Sequence, residues 1–284
     1  MNYRHEFHAG NAADVLKHLV VIGVLRALAR KATPYVYFDT HAGAGLYDLH
    51  APAARKTSEF LTGIGRLWPL RGAPNLPALV ADYLALVAAH NPGASLRTYP
   101  GSPVLAQAVT RGDDRLILIE QVAEVAAFLK QQCTADARIS VHINDGYQGL
   151  KALLPPRTRK RGVVLMDPPY EDRNEFAHVG EALLEAIKRW PGGIFLVWYP
   201  IAAYSEDAHL LARLRASGVP KILVVEWCWN ACRLPKGMNG SGMLIVNPPW
   251  QFERDIDSAL AWLHPQLAPD PSAGRVRVHW CTPP

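Results

Sequence analysis

Cysteine is scarce. The four residues Cys133, Cys228, Cys232 and Cys281 are too few and too scattered for a disulfide framework in a chain of 284 residues. A reducing compartment, the cytoplasm, is therefore the expected location. Cys228 and Cys232 share a spacing found in some metal sites, but a second ligand pair is lacking and no metal is expected. Long apolar runs are missing as well. The stretch from Leu19 to Ala29 is broken by Arg26 and follows Asp14, Lys17 and His18, which makes it too short and too charged at its edges to span a bilayer. No small-residue cleavage site follows it, so no targeting segment is read. Repeats and low-complexity tracts are absent, and so is a strong excess of one charge. Lys and Arg outnumber Asp and Glu by 30 to 25, and the net charge of +5 leans toward a polyanionic partner without establishing one. With 49% hydrophobic and 19% charged residues, the chain can bury one large core, or a core and a satellite.

The order of elements is the next signal. Asn11 can cap a helix with Asp14 at its third position, and strong helix formers continue to about Arg30. After Pro34, Tyr35-Val-Tyr-Phe38 reads as a strand running into Asp39-Thr-His-Ala-Gly-Ala-Gly45. Residues 46 to 98 then change character. Two amphipathic stretches, Ser58 to Leu70 and Leu76 to His90, flank Arg71-Gly-Ala-Pro-Asn75 and predict an inserted helical subdomain. Residues 1 to 45 and 99 to 284 make up the rest of one domain. Ser102 is expected to cap a short helix with Pro103 at its first position, and Arg115 to Glu120 is a strand ending in an acid. From there helices and strands alternate, with strands at 138–144, 162–166, 194–199, 221–228 and 243–246. That order predicts an α/β fold with a doubly wound sheet.

In such a sheet ligands bind beyond the carboxyl ends of the strands. The first end offers Gly43 and Gly45, which let backbone approach a ligand but serve equally in a tight turn. The third glycine of a dinucleotide fingerprint is missing, which argues against NAD or FAD. Glu120 ends the next strand, where a carboxylate can hold a ribose diol; a solvated strand-end acid looks the same. Asp145-Gly146 ends the third and can accept from an adenine amino group. The most specific signal is Asp167-Pro-Pro-Tyr170 after an apolar strand. Asp167 and the carbonyl of Pro168 can each accept a hydrogen from an exocyclic amine and aim its lone pair at a sulfonium methyl group, while Tyr170 offers a face for a flipped base. Asn247-Pro-Pro-Trp250 has the same grammar, but it follows the last strands and is expected to be a structural turn in an edge hairpin. The run Pro156-Arg-Thr-Arg-Lys-Arg161, read as lying beside the catalytic loop, either grips phosphates or is merely solvated. Tyr3, Arg4 and His5 open the chain with a mixture suited to stacking on bases and contacting phosphates, although a terminus can also simply fray.

Taken together, the chain resembles the RlmJ family of bacterial 23S ribosomal RNA adenine-N6 methyltransferases over essentially its whole length. The resemblance rests on Tyr3-Arg-His-Glu-Phe-His-Ala-Gly-Asn-Ala-Ala-Asp-Val-Leu-Lys-His18, Asp39-Thr-His-Ala-Gly-Ala-Gly45, Tyr99-Pro-Gly-Ser-Pro103, Asp167-Pro-Pro-Tyr-Glu171, Trp198-Tyr-Pro200, Gly240-Ser-Gly-Met243 and Asn247-Pro-Pro-Trp250. It implies a Rossmann-like class I methyltransferase fold using S-adenosyl-L-methionine and no metal. It further implies cofactor contact by His18, His41, Ser102, Glu120, Asp145, Gly146 and Asp167, with Asp167 also the catalytic acceptor and Tyr3 near the RNA. The implied substrate is naked or partly assembled 23S ribosomal RNA, with no membrane and no obligate protein partner. A DNA adenine-N6 or cytosine-N4 methyltransferase, or a catalytically silent RNA-binding relative, would share the same loop and fold.

Overall fold

The computed structural model describes residues 4–172, 174–203, 205–231, 234–235 and 237–284. Helix α1 (Ala12–Ala29) is followed by strand β1 (Val36–Asp39), then β2 (Leu46–Asp48), α2 (Pro52–Thr57), α3 (Ile64–Leu67), α4 (Ala78–Ala89), β3 (Thr98–Pro100) and α5 (Ser102–Val109). Alternation then sets in: β4 (Arg115–Glu120), α6 (Ala123–Cys133), β5 (Ile139–Ile143), α7 (Gly146–Leu153), β6 (Gly162–Met166), α8 (Glu175–Arg189), β7 (Ile194–Ala202) and α9 (Asp207–Ala216). The chain closes with β8 (Ile222–Cys228), β9 (Met238–Val246), α10 (Phe252–Leu267) and β10 (Arg275–Thr282).

The strands form an eight-stranded sheet in the order β10-β8-β9-β7-β6-β1-β4-β5, with β2 and β3 paired separately. Strands β5, β4, β1, β6 and β7 are parallel neighbours, whereas β9 runs antiparallel between β7 and β8. Strand order therefore reverses between β1 and β6. The crevice beyond their carboxyl ends is the topological switch point where a doubly wound sheet takes its ligand. Every residue of β1, β6 and β8 is buried, as strands covered on both faces require.

Helix α1 is buried nearly all round because the sheet lies on one side of it while α4, α5 and α10 cover the other. Its first turn is fixed as the sequence predicts, with Asn11 Oδ1 accepting from Asp14 N at 2.9 Å. Asp14 Oδ2 reciprocates by accepting from Gly10 N at 2.9 Å.

Several expectations are corrected. Residues 58–70 are not one helix but two 3-10 turns around the single turn of α3. A Cβ on Gly63 would sit 2.1 Å from Gly10 O, so the chain bends sharply there to press on the N-terminal segment, and Ile64 N donates to Gly10 O at 2.9 Å. Ser102 does not cap α5 with its side chain; its hydroxyl donates instead to Asp39 Oδ2 at 2.7 Å. The strand before Asn247 is interior rather than part of an edge hairpin, and the edge is β10. The basic run at 156–161 precedes β6, so it lies at the opposite end of that strand from Asp167. Cys133 and Cys281 are buried free thiols, Cys228 is held in a disulfide, and Cys232 lies outside the described residues.

Asn247 fixes the turn after β9 by donating from Nδ2 to Pro191 O at 2.9 Å and Gly193 O at 2.8 Å, at a φ of 54°. Asn247→Ala loses both bonds and forces alanine into a left-handed conformation. Urea unfolding is expected to show a loss of about 2 kcal/mol. Asn247→Gly should lose less, because the bonds are lost but no backbone strain is added. Wild-type stability in both variants would show that the turn holds nothing.

Candidate active site

Beyond Asp39 and Met166, at the switch point, lies a cavity of about 460 Å³, within the roughly 300–1,000 Å³ usual for small-molecule sites. Of the residues singled out by sequence, Arg4, His5, His18, His41, Gly43, Ser102, Glu120 and Asp167 line it. Gly45, Asp145, Gly146, Pro168 and Tyr170 stand behind or beside that lining, and Tyr3 lies outside the described residues.

Both glycines of the β1 turn have left-handed backbone, with φ of 65° at Gly43 and 80° at Gly45. Each also makes a specific contact. Gly43 N donates to Glu120 Oε2 at 2.9 Å, and Gly45 O accepts from Gly101 N at 2.7 Å. A Cβ on Gly43 would lie 2.4 Å from the Tyr47 hydroxyl. Glu120 Oε1 accepts from Val122 N at 2.8 Å, so the carboxylate is gripped by two backbone donors while it faces the cavity. Asp145 caps α7, accepting from Gln148 N at 2.9 Å. Gly146 lets α7 press against β1, since a Cβ there would meet Thr40 O at 2.4 Å.

A charged chain that the motif reading missed crosses the floor of the cavity. Lys17, only 4% exposed, donates to Asp167 Oδ2 at 2.6 Å and lies 2.7 Å from Asp14 Oδ1. Asp14 Oδ2 is in turn 3.0 Å from His5 Nε2. Burial alone would push Lys17 down and Asp14 up, but each outweighs that through its partners: Lys17 is held well above its ordinary value by Asp14 and Asp167, and Asp14 well below by His5 and Lys17. The signal for this pair was its i, i+3 spacing on a helix; sequence reading used Asp14 in the helix cap and both residues as charges against a membrane span, but not as a pair.

The two imidazoles are neutral for a different reason. Burial pushes His18 down to about 3 and His41 down to about 4. His18 Nδ1 is paired with the Tyr99 hydroxyl at 2.8 Å, and His41 Nδ1 with Thr40 Oγ1 at 2.7 Å. Asp39, fully buried, is raised to about 6 by burial even though the Ser102 and Tyr37 hydroxyls donate to it. With both imidazoles neutral and Glu120, Glu6, Glu124 and Asp167 around the cavity, Lys17 and Arg4 do not give it an excess of positive charge. The site therefore suits a ligand that carries a cation.

Tyr170 adopts a φ of 49°, uncommon for a side chain of its size. Its hydroxyl donates to Trp198 O at 2.8 Å, and its ring packs against Phe176 and Trp198 at centroid distances of 4.5 and 5.7 Å. The Asp-Pro-Pro-Tyr loop is thus pinned at both ends, by Lys17 at Asp167 and by β7 at Tyr170. Chemically, it presents a fixed acceptor at the lip of a cavity that can hold a cationic cofactor.

Comparison with known proteins agrees with this geometry. Residues 32–282 match a family model described as "Ribosomal RNA large subunit methyltransferase D, RlmJ". The chain is 40% identical to the Ribosomal RNA large subunit methyltransferase J of Escherichia coli, across 100% of this chain and 99% of that protein. It is 38% identical to the protein of the same name from Haemophilus influenzae, again across 100% and 99%. A Legionella pneumophila protein of known crystal structure superposes with a TM-score of 0.87 at 33% identity, covering 96% of this chain and 98% of the other. No helix among the described residues is long and apolar enough to cross a membrane.

The buried imidazoles give stability a defined pH dependence. An unfolded histidine binds a proton near 6.5, whereas in the folded chain His18 waits until about 3 and His41 until about 4. Between those values and 6.5 the unfolded state holds more protons, so acidification favours unfolding. Asp39, raised from 3.8 to about 6, acts in the opposite sense: its contribution is present at low pH and lost as pH rises through 6. At pH 5 each imidazole costs roughly 2 kcal/mol and Asp39 offsets roughly 1. The urea midpoint is expected to fall from pH 7 to pH 5, and to fall less in His18→Gln. A midpoint that rises on acidification would contradict the neutral, buried state of His18.

Proposed function

We propose, for a chain that belongs to the RlmJ family of large-subunit ribosomal RNA methyltransferases, that it uses S-adenosylmethionine to methylate the N6 amino group of an adenine in 23S ribosomal RNA. One observation carries the reading: Asp167, followed by two prolines, stands at the switch-point cavity with its carboxylate held by a buried lysine at 2.6 Å. The cytoplasm, where ribosomal RNA is made, is the compartment that fits.

The residues present fit this cofactor. Glu120 has both oxygens anchored by backbone donors and retains lone pairs for a ribose diol. Gly43 brings bare backbone to the cavity, and His18, His41 and Ser102 line it without adding positive charge. Asp145 and Gly146, at the start of α7, stand at the end of β5 where an adenine edge would be read. When bound, S-adenosylmethionine supplies a methyl group already activated on a sulfonium.

What remains for the chain is positioning. Asp167 and the Pro168 carbonyl accept the two hydrogens of the target amine and draw its lone pair out of conjugation with the ring. Lys17 restricts the rotation of the Asp167 carboxylate, so the acceptor is set before substrate arrives. A negative charge there also favours the positive charge that grows on nitrogen as the methyl group is transferred. Tyr170, tethered to β7, is the stacking partner in this reading, and Arg4, His5 and Tyr3 belong to the segment that meets the RNA. No covalent intermediate is needed.

The test is incubation with labelled S-adenosylmethionine and total RNA, DNA or protein from cells lacking the enzyme, followed by nucleoside analysis. Label in N6-methyladenosine of large-subunit RNA is expected; label in DNA or protein instead would overturn the reading. Asp167→Ala is expected to slow single-turnover transfer by at least about a hundredfold, roughly 3 kcal/mol of transition-state stabilisation. Asp167→Asn should lose less, because its carbonyl still accepts one hydrogen but carries no charge. Equal rates in all three proteins would remove Asp167 from the chemistry.

A further inference from the structure

The edge of the sheet opposite the cavity carries features that amine methylation does not use. It is the end of the sheet at which the parallel strands begin, and exposed cations gather there. Arg115 opens β4, Arg157 and Lys160 stand in the loop entering β6, Lys188 lies in the last turn of α8 before β7, and Lys221 precedes β8. Hydrogen bonds make the row continuous. Arg159 donates to Asp113 O at 3.1 Å beside Arg115, and Trp190 Nε1 donates to Lys160 O at 3.3 Å. Asn247 then joins Pro191 and Gly193 to Lys221, donating from its backbone N to Lys221 O at 3.0 Å.

Acids near this edge are largely paired already: Asp114 with Arg111, Asp136 with Arg138, and Glu185 with Arg189. Asp113 remains exposed within the row, and Glu253 and Asp255 follow Trp250 closely in the first turn of α10. Arg159 and Arg161 serve as staples, since Arg161 donates to Thr33 O and Leu28 O. Arg115 is exposed although its guanidinium donates to Asp114 O at 2.8 Å, and Arg157, Lys160, Lys188 and Lys221 remain as exposed cations facing solvent.

At the far end of the row stands Trp250, which is 85% exposed. Its presentation is rigid. Two prolines precede it, Asn247 clamps the loop to β7, and Phe252, two residues later, is only 2% exposed. Both Asn247 and Gln251 are held at positive φ, of 54° and 61°. A tryptophan held out in water by strained backbone stabilises nothing in the free protein. A fixed aromatic face at the end of a row of cations is the combination that binds an unpaired base and its neighbouring phosphates.

We propose that this edge is a second RNA-docking surface, at which phosphates of the substrate pair with Arg115, Arg157, Lys160, Lys188 and Lys221 and an unpaired base stacks on Trp250. The proposal rests on the reading of the substrate as ribosomal RNA. Strand β6, five residues long, separates the edge from Asp167, a distance of roughly 17 Å, on the order of five nucleotide steps. A long structured RNA reaches both places, whereas a short hairpin trimmed to fewer than about five nucleotides on either side of the target adenine reaches only the cavity.

The experiment compares steady-state methylation of a full large-subunit transcript with that of a short hairpin around the adenine mapped as the wild-type product. The proteins are wild type, the fourfold variant R157Q/K160Q/K188Q/K221Q, and W250A, each with its melting curve. On the transcript the fourfold variant is expected to raise KM at least about tenfold and to flatten the log–log salt dependence of binding by about 3. Trp250→Ala alone should raise KM at least about fivefold. Values of kcat, and both constants on the hairpin, should stay within about twofold. An unchanged transcript KM, or an equal loss on both RNAs, overturns the proposal. So does a loss confined to sedimentation with phosphatidylserine–phosphatidylcholine vesicles, which would make the surface a membrane contact. No transfer to either RNA by the wild-type protein defeats the substrate reading itself, and the proposal with it.

Discussion

A lysine ammonium buried to 4% exposure is tolerable only with anionic partners close at hand, and Lys17 has two. Desolvating such a charge costs several kcal/mol, and removing either partner leaves it uncompensated. That requirement ties three distant parts of the chain together: the first turn of α1, the N-terminal segment through His5 and Asp14, and the loop after β6 through Asp167. The position of α1, buried among the sheet, α4, α5 and α10, therefore also sets the position of Asp167, the acceptor proposed for the target amine. The same ion chain gives the acceptor a fixed geometry and makes it depend on how the N-terminal segment is seated.

Around this chain the site is arranged to avoid surplus positive charge. His18 and His41 are driven neutral by burial, and Glu120 is anchored by Gly43 N and Val122 N. The glycine turn after β1 is shaped as much by packing as by ligand. Gly43 clears the Tyr47 hydroxyl, and Gly45 accepts from Gly101, the residue before α5. Ser102 has a comparable structural duty, since its hydroxyl donates to the buried Asp39.

Much of this was legible from residues alone because the informative positions are local. Strands β1, β4 and β6 announce themselves by β-branched runs ending in Asp39, Glu120 and Asp167, and the two prolines after Asp167 mark the end of a buried strand without ambiguity. The less legible features are those set by contacts far apart in sequence. Lys17 and Asp167 are 150 residues apart, so no spacing rule connects them. The break at Gly63 is imposed by Gly10, and the Ser102 hydroxyl is drawn from a capping role by an acid 63 residues away. Strand β10 alternates Arg and Val from Arg275 to Val278, a half-exposed edge pattern that sequence reading passed over after the second Pro-Pro turn. Asn247 holds that turn by hydrogen bonds, but β9 lies inside the sheet and not in an edge hairpin, and it ends on the side away from the cavity because it runs antiparallel to β7.

The central claim is that Lys17 acts through Asp167 and not separately from it. A double-mutant cycle of Lys17→Met and Asp167→Asn, read as single-turnover methyl transfer to unmodified ribosomal RNA at saturating cofactor, tests it most directly. Each single variant should lose at least about tenfold, and the double variant should lose little more than the worse single one, a coupling of about 1–3 kcal/mol. Additive losses in folded proteins would mean that the buried ion pair is structural only, and that Asp167 is positioned by something else.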